Sequence, residues 1–197
     1  MENYSYDYEW DVEYCYPNSN VLINKLNITN SKDLSVAERE ITSVKLAYAK
    51  QNPIKGDFDL KHLQEIHKFL FEDIYIWAGK LRHVNIAKGN QFCLAQNLES
   101  YADGIFAKLK AENYLVGAQN VAERLAYYLS EINVLHPFRE GNGRMQRLFI
   151  EYLALNAGYR VDFSDVSPKE MIIASAESFA CDYEKINSMF ERITHKI

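Results

Sequence analysis

The stretch His136-Pro137-Phe138-Arg139-Glu140-Gly141-Asn142-Gly143-Arg144-Met145-Gln146-Arg147 constrains the fold more than any other, because it stops one helix and starts another within a few residues. Upstream, from about Val121 to Leu135, Leu125, Tyr128, Leu129, Ile132 and Leu135 recur at helical spacing. That broad apolar face predicts the most buried helix of the chain. Pro137 removes an amide donor, and Gly141, Asn142 and Gly143 tolerate backbone conformations that other residues resist, so a loop is forced. Helical spacing then resumes with Leu148, Phe149, Tyr152, Leu153 and Leu155 and ends at Asn156-Ala157-Gly158, with Gly158 a natural cap. Gly141 to Arg144 therefore fall in the first turn of a new helix.

The rest of the chain reads as helices around this pair. Leu34, Ala37, Ile41, Val44 and Tyr48 mark an amphipathic helix from about 33 to 50, with these residues facing inward and Asn52-Pro53 stopping it. Asp59 is a plausible N-cap for a second, which carries Leu60, Leu63, Ile66, Leu70 and Ile74. Its His62 and His67 are five apart and read as ordinary surface or core histidines rather than a ligand pair. Between 81 and 94 the helical period is lost: Val84 and Ile86 alternate before Lys88-Gly89-Asn90, and Phe92 and Leu94 after it. This predicts a short hairpin, the only convincing strand pair in the chain, and a lone hairpin must lean on helices or serve something that visits it. A further helix runs from about 97 to 113, with Leu98, Ala102, Ile105, Phe106 and Leu109 inward. Ser167-Pro168-Lys169-Glu170 opens another with a capping box, and a last one from about 183 to 194 buries Ile186, Met189, Phe190 and Ile193. The expected class is all-α with one inserted β-hairpin.

Residues 1–32 differ in character. Tyr4, Tyr6, Tyr8, Trp10, Tyr14 and Tyr16 alternate with Asp7, Glu9, Asp11 and Glu13, which predicts an extended aromatic strap laid over a single domain of residues 33–197. The alternative is that these tyrosines are modification targets. At 197 residues and 48% hydrophobic content the chain has room for one core. Its net charge of -5 argues against a general grip on nucleic acid, so any phosphate site must be local. No apolar run approaches the roughly 20 residues that span a bilayer, and Cys15, Cys93 and Cys181 fit neither a disulfide framework nor a zinc site. We expect a soluble protein of a reducing cytoplasm, unless it is delivered elsewhere by a route the sequence does not describe.

The loop itself suits polyphosphate chemistry. Unpaired N–H groups at a helix start and the positive end of its dipole favour an anion. Arg144 and Arg147, three apart, share a face beside them and suit two or more phosphates. Glu140 would be repelled by phosphates unless a cation lay between, and Mg²⁺ commonly binds one carboxylate plus phosphate oxygens and waters. His136, with a reference pKa near about 6.5, can take a proton from an attacking hydroxyl. Each residue alone has a plainer reading: His136 as a cap, Arg144 and Arg147 paired with Glu140 and Glu151, the glycines as a tight turn. Their conjunction in this order argues against it.

The string matches the Fic-family signature His-x-Phe-x-(Asp/Glu)-Gly-Asn-Gly-Arg-x-x-Arg at every specified position, and the run Phe71 to Arg82 resembles that family's approach to its flap. The resemblance implies a Fic-type helical bundle with a hairpin flap that transfers AMP from ATP to a Tyr, Ser or Thr hydroxyl of a target protein. His136 would be the base, Phe138 the loop anchor and Glu140 the Mg²⁺ ligand. Gly141, Asn142 and Gly143 would cradle the α-phosphate, with Arg144 and Arg147 on the β- and γ-phosphates. Val84, Ile86, Lys88, Gly89, Asn90 and Phe92 would form the flap that docks the target by strand addition. The inhibitory pattern (Ser/Thr)-x-x-x-Glu-(Gly/Asn) of many Fic proteins is missing. The nearest approach, Ser5-Tyr6-Asp7-Tyr8-Glu9-Trp10, fails at its last position. The chain thus resembles the toxin half of bacterial Fic toxin–antitoxin pairs, with a small separate antitoxin expected to offer a Glu to Arg147. The alternative function is a Fic-fold module that binds nucleotide or partner without turnover.

Overall fold

The computed structural model describes residues 7–8 and 13–197. In chain order they form β1 (Asp7–Tyr8), α1 (Ser31–Gln51), α2 (Leu60–Phe71), β2 (Ile86–Lys88), β3 (Asn90–Gln91), α3 (Leu98–Ala111), α4 (Val121–Leu135), α5 (Asn142–Asn156), β4 (Tyr159–Val161), α6 (Pro168–Phe179), α7 (Glu184–Ile193) and β5 (Thr194–Lys196). The all-helical class with an inserted hairpin holds. At the centre is α4, which packs against α3, α5, α6 and α7. All five of its expected inward residues are buried, as are those of α3 and α7. Of the apolar residues expected to bury along α5, only Leu155 faces out.

Local chemistry sets the helix starts. The side chain of Asn30 accepts from the Lys32 and Asp33 amides at the head of α1, and Asp59 accepts from the His62 amide at the head of α2. Ser167 caps α6 through the Glu170 amide, with Pro168 at the first helical position. Only half of the expected capping box forms, because the Glu170 carboxylate turns away to Arg192.

Two expectations are corrected. The inward face of α1 is rotated by one residue: Leu34, Thr42 and Ala49 are buried, while Val44 is 73% and Tyr48 59% exposed. The inner stripe carries polar residues with partners on facing elements. Glu38 and Thr42 meet Arg144, and Lys45 meets Glu72 and Asp73. Satisfying those groups outweighs burying two more apolar side chains. The hairpin, in turn, is shorter than expected and has company. Its ladder pairs Ala87 with Gln91 and Lys88 with Asn90 around Gly89 (φ +76°), leaving Val84 and Leu94 outside the strands. On the other edge of β2 lies β1, with Asp7 opposite Ala87 and Tyr8 opposite Ile86, so the sheet order is β1-β2-β3. A second antiparallel pair, β4 with β5, closes the C-terminus against Val161, so the hairpin is not the only strand pair.

The remainder of the aromatic strap, residues 1–6 and 9–12, lies outside the described residues. From Tyr14 onward it enters the main core, where Tyr14, Val21 and Leu22 are buried. No helix among the described residues is long and apolar enough to cross a membrane.

Candidate active site

His136 ends α4 in the left-handed conformation (φ 42°, ψ 60°), a backbone state that costs a β-carbon-bearing residue about 1–3 kcal/mol. Helix, loop and hairpin all hold it there. Its amide donates to the Ile132 carbonyl at 3.0 Å, and its carbonyl accepts from Arg82 Nε at 2.8 Å. Nδ1 lies 3.3 Å from the Asn133 carbonyl, so the proton of the neutral ring sits on Nδ1 and Nε2 becomes the acceptor. The ring lies flat on Phe92 of the hairpin, with centroids 3.8 Å apart. Burial pushes the imidazole down to about 3, and the Arg82 and Lys88 charges press the same way against the Asn133 hydrogen bond. The ring is therefore a neutral acceptor across the physiological range.

From His136 the loop turns sharply into α5. Phe138 is wholly buried, its ring stacked on His67 at 3.9 Å. The side chain of Asn142 spans the loop, accepting from the Phe138 amide at 3.0 Å and donating to the Phe138 carbonyl at 2.7 Å. That commits the Asn142 side chain to the loop, so only its amide remains for an anion. Gly141 caps α5 at φ +81°, and a β-carbon there would stand 2.2 Å from the Phe71 ring. Glycine is required on both counts. The first intrahelical bond runs from the Met145 amide to the Gly141 carbonyl. The amides of Asn142, Gly143 and Arg144 precede it at the positive end of the helix dipole.

The charged residues divide their tasks. Arg144 is held by α1: it pairs with Glu38, donates to the Thr42 hydroxyl at 3.0 Å, and rests over the Phe71 ring at 4.8 Å. The Tyr75 hydroxyl donates to the other Glu38 oxygen, closing the network. Arg147 folds back toward Gly143, and among the described residues no ion pair or hydrogen bond engages its guanidinium. Desolvation and the neighbouring Arg144 charge lower its pKa, against an opposing pull from Glu151. The plainer pairings of Arg144 and Arg147 with Glu140 and Glu151 do not form among the described residues. Arg144 takes Glu38, and Glu151 takes Lys50 at 2.8 Å.

Glu140 accepts from the Gly141 amide at 2.8 Å through one carboxylate oxygen. Burial raises its pKa and nearby Glu38 adds to this, against the Gly141 bond and the Arg144 and Arg139 charges. Among the described residues no group of three or more His, Cys, Asp or Glu converges. A cation at Glu140 would draw its other ligands from phosphate and water, which fits Mg²⁺ and does not fit zinc.

The hairpin residues are brought to His136 unequally. Phe92 touches His136, Ile86 is buried beneath the sheet, and Val84 is tied in by its carbonyl; Lys88, Gly89 and Asn90 form the tip. Sequence reasoning overlooked the residues that hold the loop. His67 accepts the Gly79 amide on Nδ1 at 2.9 Å and donates from Nε2 to the Glu140 carbonyl at 2.9 Å. Glu38 has no part in the sequence reading, and Arg82 enters it only as the end of the run Phe71 to Arg82, without a role of its own. For His67 and Arg82 the signal was polarity amid an otherwise apolar or turn-forming run; Glu38 carried none, because its partners are more than 35 residues away.

A model of the Fic/DOC family matches residues 57–154. The chain is 40% identical over 182 residues to protein adenylyltransferase VbhT of Bartonella schoenbuchensis, an alignment covering 91% of this chain and 38% of that longer protein. It is 36% identical to a relative from Escherichia coli (strain K12) described as a probable protein adenylyltransferase Fic, covering 91% of this chain and 90% of the relative. The crystal structure of BepC from Bartonella tribocorum, with bound AMPPNP, superposes at a TM-score of 0.87 with 28% identity, covering 93% and 97% of the two chains. With the signature residues running from the end of α4 through the loop into the first two turns of α5, the chain belongs to the Fic/DOC family.

Proposed function

We propose that this protein is an adenylyltransferase that moves AMP from ATP to a Tyr, Ser or Thr hydroxyl of a target protein. The observation that carries the reading is a neutral, buried His136 set within one short loop of the open amides at the start of α5. The names of the relatives and the nucleotide held by the BepC neighbour support it. His136 Nε2 accepts the proton of the target hydroxyl as its oxygen attacks the α-phosphorus. The bond from that phosphorus to the bridging oxygen breaks, and pyrophosphate leaves. The amides of Asn142 and Gly143 face the charge that develops on the α-phosphate oxygens, and Arg144 and Arg147 hold the rest of the polyphosphate. Glu140 would hold Mg²⁺, which when bound neutralises phosphate charge. Water is kept off the base by Phe92, which covers one face of the ring.

The proposal extends to restraint. A small antitoxin offering a carboxylate would find Arg147 half-buried and unengaged among the described residues, and pairing with it would displace the γ-phosphate. A reducing cytoplasm suits Cys15, Cys93 and Cys181, which form no disulfide with one another. ATP labelled in the α-phosphate, incubated with Mg²⁺, lysate and either wild-type protein or His136→Ala, tests the reading. Protein-bound label is expected with wild type alone. Label persisting in the variant removes His136 as the base, and none in either leaves nucleotide binding without turnover.

A further inference from the structure

We infer that Arg82 is a positioning residue of the transfer reaction: it joins both arms of the hairpin to the backbone of the catalytic histidine and so fixes the target-docking strand relative to the base. The inference rests on the proposed transfer activity and on His136 as its base.

The hairpin cannot place itself. Its strands are three and two residues long with two paired rungs, and a ladder of that size has little stability of its own. The Arg82 guanidinium ties both of its arms to the backbone of His136. Arg82 Nη1 donates to the Val84 carbonyl on the incoming arm at 2.6 Å, Nη2 donates to the Cys93 carbonyl on the outgoing arm, and Nε donates to the His136 carbonyl at 2.8 Å. The Arg82 amide adds a bond to the Pro137 carbonyl at 2.9 Å, and the Cys93 amide one to the Val134 carbonyl at 2.9 Å. A planar fork with fixed donor directions sets three carbonyls at once, which the point charge of a lysine cannot do.

The setting is costly for a structural filler. Arg82 is 2% exposed, and no carboxylate lies within ion-pair distance of it among the described residues. Among the described residues its guanidinium donates to three backbone carbonyls, and burial lowers its pKa to about 10, so it remains a cation at neutral pH. An apolar side chain would be cheaper to bury but would leave the three carbonyls without these donors and remove the tie between the two arms and His136. Phe92, four residues from the hairpin turn's start, stacks on His136 at 3.8 Å, so any drift of the hairpin moves the base as well. Arg82 acts on the reaction through these contacts and touches no reacting atom. The polyphosphate holders, Arg144, Arg147 and the α5 amides, hang from α1 and α5 and do not depend on it.

The test compares the full-length wild type with Arg82→Lys and Arg82→Gln. Three quantities are read: transfer of α-labelled AMP to lysate proteins, affinity for ATP, and the pH dependence of transfer. A positioning role predicts that transfer falls on the order of 100-fold, as for misplacement by about an ångström, while ATP affinity changes less than about 2-fold, well under one tenfold step. It also predicts that the acidic limb of the transfer profile moves to higher pH in Arg82→Gln and stays in place in Arg82→Lys. Removing a cation beside His136 raises the imidazole pKa, with Lys88 and the Asn133 carbonyl unchanged in both. Equal transfer by variant and wild type overturns the inference and leaves the transfer reading standing. Loss of ATP affinity in step with transfer overturns it too, since that marks general destabilisation. A wild type that binds ATP but labels nothing overturns the transfer reading and this inference together. Should the variants not fold, hydrogen exchange on the wild type decides: the Arg82, Phe92 and Cys93 amides are expected to be protected as one unit with that of His136. Hairpin amides that exchange on the order of 100-fold faster than His136, a free-energy gap of two tenfold steps, refute the anchoring.

Discussion

Lowering the pH from 7 to 5 should destabilise the fold by about 2 kcal/mol through His67 alone. Its imidazole is wholly buried between Phe71 and Phe138, with ring centroids 4.7 and 3.9 Å away. Both nitrogens are committed in the neutral form, Nδ1 accepting from the Gly79 amide and Nε2 donating to the Glu140 carbonyl. A second proton would land on Nδ1, donor against donor. Burial, helped by the Arg144 charge, holds the pKa at about 3, against an unfolded value of 6.5. A folded pKa below the unfolded one means that the contribution is complete above pH 6.5 and is lost as the pH falls from there toward about 3. Within that window each pH unit removes about 1.4 kcal/mol, which gives about 2 kcal/mol at pH 5. Urea unfolding of wild type and His67→Phe at both pH values isolates this loss from that of the carboxylates. The phenyl ring keeps the stack but orphans the Gly79 amide and the Glu140 carbonyl, so at pH 7 the variant should be less stable by about 1–3 kcal/mol. At pH 5 that gap should shrink by about 2 kcal/mol. A gap unchanged between the two pH values refutes the assignment of His67 as a buried neutral strut of the motif loop.

Glu38→Gln exchanges the charge-assisted bond to Arg144 for a neutral one, and initial rates should show KM for ATP rising about 5- to 10-fold with a smaller change in kcat; an unchanged KM removes Glu38 from the site. Glu140→Gln should lower transfer on the order of 100-fold and abolish its dependence on Mg²⁺, read by titrating the metal at saturating ATP. Asp7→Pro combined with Tyr8→Pro removes the amides of β1 and opens the edge of β2 that a target strand would use. Exchange at Ala87 should then accelerate and labelling of lysate acceptors should rise; labelling that stays level shows that β1 does not compete with targets.

The parts of the fold that were legible in the sequence are those in which apolar period and burial coincide. α3, α4 and α7 bury the residues their spacing marks, and Asp59 and Ser167 cap the helices they precede. The motif loop was legible because Pro137, Gly141 and Gly143 dictate backbone shape locally. α1 was misread because its inner face is set by long-range polar partners: Thr42 and Glu38 face inward for Arg144, more than 100 residues on. The β4–β5 pair joins two three-residue segments 35 positions apart, too short for alternation to show. β1 lies within the alternating aromatic run that reads as extended; its pairing with the hairpin edge, a contact about 80 residues away in the chain, has no trace in that alternation. Within the site, the residues proposed to react are read from side-chain chemistry, whereas His67, Arg82 and Glu38 act through backbone carbonyls and a distant guanidinium. Such roles depend on packing and have no local signature.

In the proposed reaction the α-phosphate of ATP, with its nucleoside, passes to a protein hydroxyl. Parallel incubations with ATP labelled in the α- or the γ-phosphate, followed by mass spectrometry of the modified proteins, test it directly. AMP transfer puts α-label on Tyr, Ser or Thr as an AMP ester and leaves γ-label in pyrophosphate and unreacted ATP, with none on protein. Label from the γ-phosphate on protein, or pyrophosphate released with no AMP ester formed, would contradict it.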